Sequence, residues 1–266
     1  MSEPEWTIRV AVQHGPAPGS GTAAALEHLQ ALAPAARRLG AELLVLPQLY
    51  LGGRPEDDAA AHAMAELSDG PGLRAVGAIA RAAGLALLCG YVELCSGRCH
   101  DSLLFVDAHG HAIANYRRVH LHAGQEVRLF ARGQWLNLVP FAGRRLGLLT
   151  GIDIDGPEQA RALALAGADL LLVAGGHAGG PAMASILVAR AAENGCGLAF
   201  ANAAVGADAP ASCVIGPDGA VLAQTGAGLA VATLPAAGPG LSDRPRRPQL
   251  YARLVAAMVD EDGPRL

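Results

Sequence analysis

The chain has 266 residues, 52% of them hydrophobic and 17% charged, with a formal net charge of -4. That is enough apolar material for a sizeable core and excludes a disordered chain. The mildly acidic balance leaves no basic footprint for nucleic acid or an anionic membrane.

Strand and helix patterns alternate along the sequence. Residues 7–13 alternate β-branched and polar positions as a strand does. Residues 22–38 carry apolar side chains at helical spacing, end in basic residues and are followed by Gly40. The short apolar run 42–46 reads as a buried parallel strand. A helix over 73–83, closed by Gly84, precedes a strand over 85–92. Residues 102–106 and 112–119, joined by the Asp-Ala-His-Gly turn at 107–110, predict a β-hairpin.

Strands follow at 136–139 and 145–149, then a helix over 157–166, a strand over 169–173 and a helix over 183–194 that stops at Gly195. Residues 197–203, 211–215 and 221–225 read as strands, the last two joined by a Pro-Asp-Gly turn. An extended Arg-Pro-Arg-Arg-Pro stretch at 244–248 leads to a final helix near 249–258. No long linker or composition break appears, so the reading is a single domain over 1–266. The alternation predicts an α/β fold of mixed sheets with helices on their faces.

Neither a metal nor a cofactor is called for. The five cysteines, Cys89, Cys95, Cys99, Cys196 and Cys213, are odd in number and irregularly spaced, unlike a disulfide framework. Cys95 and Cys99 are four apart, but no second Cys or His pair follows at zinc-ligand spacing. The pairs His109/His111 and His120/His122 read as solvated turn residues. Residues 1–6 are acidic and polar, unlike a signal peptide, and no apolar run is long enough to span a bilayer. The expectation is a cytoplasmic protein.

All 20 basic residues are arginines, and there is no lysine. Together with alanine and glycine richness this matches a coding bias toward GC-rich codons. It gains chemical meaning from five segments. Glu42-Leu-Leu-Val-Leu-Pro-Gln48, Asn115-Tyr-Arg-Arg-Val-His-Leu121, Leu146-Gly-Leu-Leu-Thr-Gly-Ile-Asp153 with Gly156-Pro-Glu158, Arg190-Ala-Ala-Glu-Asn194 with Ala201-Asn202, and Arg246-Arg-Pro-Gln-Leu-Tyr251 occur in that order. Together they resemble the nitrilase superfamily of carbon-nitrogen hydrolases, from about Arg9 to Arg253. The resemblance implies a four-layer α-β-β-α sandwich, paired into homodimers or higher homo-oligomers. It also implies a glutamate base, a lysine and a cysteine nucleophile at three fixed places.

Those places fall on Gln48, Arg118 and Gly151. Glycine supplies no nucleophile, and glutamine exchanges no proton near neutral pH. Arginine keeps the charge on a larger planar fork. The resemblance places a second, assisting glutamate on Glu126 and a pocket-bordering position on His177, while Asp153 lies two residues beyond the nucleophile position. Gly151 is expected to vacate volume, and Arg118 beside neutral Gln48 to suit a small carboxylate or an amide. The leading reading is a pseudoenzyme that binds such a ligand at Gln48, Arg118, Glu126, Gly151, Asp153 and His177. The alternative is an amide hydrolase in which Glu126 or Asp153 activates water.

Overall fold

A computed structural model describes residues 7–17, 21–177, 182–203, 208–235 and 245–251, and the backbone at 259–260 and 263–264. Two six-stranded mixed sheets form its centre. The first contains β1 (Thr7–His14), β2 (Leu43–Val45), β3 (Ala86–Cys95), β4 (Arg98–Val106), β5 (Ala112–Arg117) and β12 (Gly228–Pro235), in the order β12-β1-β2-β3-β4-β5. The second contains β6 (Asn137–Phe141), β7 (Arg144–Thr150), β8 (Leu170–Gly175), β9 (Gly197–Asn202), β10 (Ser212–Ile215) and β11 (Val221–Thr225), in the order β11-β10-β9-β8-β7-β6.

The two sheets repeat one plan. In each, three parallel strands are linked by helices and flanked by antiparallel strands: β1, β2 and β3 in the first, β7, β8 and β9 in the second. The linking helices are α1 (Gly21–Arg38) and α3 (Pro71–Ala83) on one side, α5 (Pro157–Leu165) and α6 (Ala182–Asn194) on the other. Such crossovers place the helices on the sheet face, so the central strands are buried on both sides. The unbroken burial of Leu43–Val45 and Leu170–Gly175 follows from this.

Three apolar layers hold the sandwich together. Val10, Val45, Phe105 and Tyr116 of one sheet meet Leu146, Leu148, Leu172 and Val214 of the other. Leu29, Ala33, Val76 and Ala80 of α1 and α3 pack on the outward side chains Leu44, Leu87 and Leu104. Leu163, Leu187 and Ala191 of α5 and α6 pack on Leu171, Val173 and Leu198. The α-β-β-α order matches the expectation from the sequence.

Boundaries differ where tertiary contacts decide them. The strand predicted over 112–119 stops at Arg117, because beyond it the amides of Val119 and His120 turn to the Asp153 carboxylate. Strand β12 and the short helices α2 (Asp58–Met64) and α4 (Glu126–Leu129) have no counterpart in the sequence reading. Of the final helix predicted over 249–258, the described part is a single 3-10 turn at Pro248–Leu250, and residues 252–258 lie outside the described residues. Among the described residues no helix is long and apolar enough to cross a membrane.

Candidate functional site

The carboxyl ends of parallel strands make the crevice in which α/β sheets carry their ligands. Here Gln48 follows β2, Gly151 follows β7 and His177 follows β8, while Arg118 follows β5. The turn after β2 is tight: Leu49 takes φ 51 and Gln48 N donates to Gly175 O at 3.2 Å, binding the two sheets together at this point.

Arg118 sits at the centre, only 2% exposed. Its Nη1 lies 3.2 Å from Asp101 Oδ2 and its Nη2 lies 2.9 Å from Glu126 Oε2. Gln48 Nε2 donates to the same Asp101 oxygen. Glu126 also accepts from Arg54 Nη2 at 2.8 Å and from the amide of His122 at 2.8 Å. The result is a continuous polar chain, Gln48–Asp101–Arg118–Glu126–Arg54.

Gly151 lies directly beneath the guanidinium. Its φ is 55, in the left-handed region where a side chain is strained. A Cβ there would stand 2.6 Å from Arg118 Cζ and 2.7 Å from Nε. The expectation that Gly151 vacates volume is therefore corrected: Arg118 fills that volume.

Burial is the largest influence on Asp101, Glu126 and Arg118. It pushes Asp101 up to about 6, against the opposing pull of Arg118 and the Gln48 hydrogen bond. Burial would raise Glu126 as well, but Arg118, the His122 amide and Arg54 together hold it below the ordinary carboxylate range. Burial opposes the charge on Arg118, which Asp101 and Glu126 more than restore. With two guanidiniums against two carboxylates the cluster is nearly neutral. The sequence reading set Arg118 beside neutral Gln48 and Glu126; the structure adds Asp101, which bonds both Gln48 and Arg118.

A cavity of about 380 Å³ opens beside this chain, lined by Gln48, Arg118, Glu126, Gly151 and His177 among others. No thiol, hydroxyl or amine appears among its described lining residues. A second cavity of about 260 Å³, bordered by Leu49 and Tyr50, shares Gln48, Arg54 and Gly176 with it. Arg54, half-exposed on the loop after β2, stands between the two.

Asp153 is brought near but does not line either cavity. Fully buried, it accepts from Tyr116 Oη at 2.6 Å, His120 N at 2.9 Å and the His120 ring at 2.9 Å. Its role is to fasten the end of β5 to the turn after β7, while the N-cap position of α5 is held by Gly156. His177 does line the cavity, yet its Nε2 lies 2.9 Å from Asp155 and its Nδ1 is sealed without a partner among the described residues. Asn202 fixes it, accepting from His177 N and donating to His177 O. Asp101, Arg54 and Asp155 carried no signal in the sequence alone.

The family model for carbon-nitrogen hydrolases matches residues 9–237. The chain belongs to the carbon-nitrogen hydrolase family. It is 36% identical over 263 residues to a protein of Pseudomonas protegens named "Hydrolase in pqqF 5'region", covering 92% of this chain and 91% of that one. It is 32% identical over 192 residues to an (R)-stereoselective amidase of a Pseudomonas species, covering 70% and 69%. A cysteine-to-alanine mutant of the Nesterenkonia AN1 amidase, a nitrilase-superfamily enzyme, matches its fold with a TM-score of 0.79 at 27% identity, covering 93% of this chain and 97% of that one. A glutamate-to-glutamine, cysteine-to-alanine double mutant of that amidase, in complex with acrylamide, matches with a TM-score of 0.80 at 26% identity, covering 96% and 100%. The nitrilase-like sandwich of this family member thus accounts for the convergence of Gln48, Arg118 and Gly151 on one crevice.

Proposed function

We propose that this family member does not hydrolyse C–N bonds, and that it binds a small amide, more weakly a small carboxylate, in the cavity beside Arg118. The observation that carries this reading is the Arg118 guanidinium lying over Gly151, in the space a nucleophile would need. Each task of amide hydrolysis lacks a group to perform it. Position 151 has no thiol, Gln48 cannot shuttle a proton, and Arg118 is already committed to Asp101 and Glu126.

The near-neutral cluster favours an amide over a carboxylate, since no free cation is left to attract an anion. The Nesterenkonia double mutant supports this, because a relative with glutamine for glutamate and no cysteine sulfur holds acrylamide. Water activation has less support: Asp153 is consumed by Tyr116 and His120, and Glu126 by two arginines. On the same footing we assign the protein to the cytoplasm as a homodimer, which fractionation and sedimentation test.

Calorimetry with acrylamide, propionamide and propionate tests the binding, alongside an assay for ammonia release. The expected result is saturable amide binding, weaker propionate binding and no ammonia. Absence of any binding would remove the ligand from the proposal. Ammonia release that disappears in Glu126→Gln would replace it with the hydrolytic reading.

A further inference from the structure

A second polar cavity, of about 530 Å³, lies on the other face of strands β3–β5. Successive residues on a strand point to opposite faces, and here they serve different sites. Asp101 and Arg118 meet beside Gly151, whereas their neighbours Ser102 and Arg117 both bind Glu93. Glu93 is 2% exposed and accepts from Ser102 Oγ at 2.7 Å, Asn115 Nδ2 at 2.9 Å, and Arg117 Nε and Nη2 at 2.8 and 2.6 Å. The floor of the cavity is therefore a closed ion pair, with its charges balanced and its carboxylate satisfied.

Of the uncommitted groups on the walls, three each ask for a different feature of a ligand. His100, the cross-strand partner of Glu93, is 8% exposed. Its Nδ1 lies 2.9 Å from the Ala131 carbonyl, which fixes the proton on that nitrogen. Nε2 is left as a lone-pair acceptor with no partner among the described residues. Burial, assisted by Arg117 and Arg98, holds the ring below its ordinary value, so it stays neutral and accepting at neutral pH. Arg132 is exposed and makes no ion pair among the described residues, so its charge is the one the lining does not balance. Trp135 is 77% exposed, the most exposed large apolar side chain described, and it borders the same cavity. A flat ring held out to solvent beside polar groups is a stacking surface.

We infer that this cavity binds a small planar aromatic acid bearing an O–H or N–H donor, its ring on Trp135, its acid group on Arg132 and its donor on His100 Nε2. No element of this depends on the amide reading of the Arg118 cavity.

The test is titration with 4-hydroxybenzoate, followed by calorimetry and by Trp135 fluorescence. The chain has two tryptophans, so a Trp6→Phe background isolates Trp135. A ligand of about ten heavy atoms is expected to bind with a Kd of roughly 0.1–1 mM. Benzoate lacks the donor, phenol the charge and 4-hydroxycyclohexanecarboxylate the flat ring, and each should bind about five- to tenfold more weakly. Arg132→Gln and Trp135→Leu alter exposed side chains, so folding is preserved, and each should weaken binding by a similar factor. Lack of saturation at about 10 mM overturns the inference. So does affinity indifferent to both substitutions, or lost in Arg54→Ala at the other cavity.

Discussion

Arg118 and Gly151 occupy each other's space. The guanidinium carbon lies 2.6 Å from where a Cβ at position 151 would stand, closer than any real side chain tolerates. With the Arg118 guanidinium held by Asp101 and Glu126, a side chain at position 151 must displace it, and the two residues form one structural unit.

Gly151→Cys alone should accordingly fail to create a hydrolase and should lower stability by about 1–3 kcal/mol. The cost combines positive-φ strain with displacement of a buried guanidinium. Adding Arg118→Lys opens the space and should return part of the lost stability. Only the triple variant with Gln48→Glu reassembles nucleophile, base and compact cation, and it should release ammonia from small amides. Thermal melts and an ammonia assay across the three variants check the order. Turnover by Gly151→Cys alone would refute the plug.

Arg118 also neutralises two carboxylates that have little access to water: Asp101, fully buried, and Glu126, 4% exposed. Arg118→Met should cost about 3–5 kcal/mol, because removing one partner leaves uncompensated buried charge. Arg54 bonds the same Glu126, but its side chain is 54% exposed, and Arg54→Ala should cost less than about 1 kcal/mol. Chemical denaturation measures both. Similar losses would mean that burial does not rank these two contacts.

The parts of this cluster differ in how visible they are from sequence. Helix α3 is legible because Leu73, Val76 and Ala80 recur at helical spacing, and Gly84 ends the run. Gln48, Arg118 and Gly151 are legible because the segments around them resemble known ones. Asp101 is not, since a single acid within Cys-His-Asp-Ser carries no pattern. Its importance arises only when β4 pairs with β5 and brings residue 101 to Arg118, whose amide donates to the Asp101 carbonyl at 2.9 Å. The volume above Gly151 is hidden from the sequence for a related reason. It depends on the direction taken by the Arg118 side chain, which the buried carboxylates decide. Strand β12 is hard to see because Leu-Ala-Val-Ala-Thr-Leu carries apolar residues on both faces, with Thr233 the one polar interruption.

The pH dependence of stability separates the two buried acids. Asp101 has a folded value of about 6 against an ordinary 3.8. It keeps its proton longer when folded, so its contribution to stability is full below about pH 4 and is lost as pH rises through about 6. Glu126 is held below its ordinary value, so its contribution is present at neutral pH and is lost as pH falls through its folded value. Asp101→Asn removes only the first effect and retains an oxygen to accept from Gln48 and Arg118. Between pH 4 and 6 its stability should therefore rise more steeply with pH than that of the wild type. Denaturation midpoints at half-unit intervals check this, and parallel curves would show that Asp101 is not perturbed.

Gly90 on β3 is what allows the Gln48 turn to close. A Cβ there would stand 2.5 Å from the Leu49 amide nitrogen and 2.8 Å from the Pro47 carbonyl oxygen. Both are backbone atoms, which no rotamer change can move aside. The turn is fixed from its other end as well, by the Leu51 amide donating to the Gly90 carbonyl at 2.9 Å. Gly90→Ala must therefore push the whole 47–49 segment outward, breaking the Gln48 contact with Asp101 and the Gln48 amide bond to Gly175. An overpacking loss of about 1–3 kcal/mol is expected, together with loss of amide binding, although no cavity-lining residue has changed. Gly84→Ala is the control. Its neighbourhood is open, so it adds only positive-φ strain of about 1 kcal/mol at a helix end and should leave the ligand untouched. Calorimetry on the two variants distinguishes a displaced turn from general destabilisation: amide binding retained by Gly90→Ala would detach the Gln48 turn from the site.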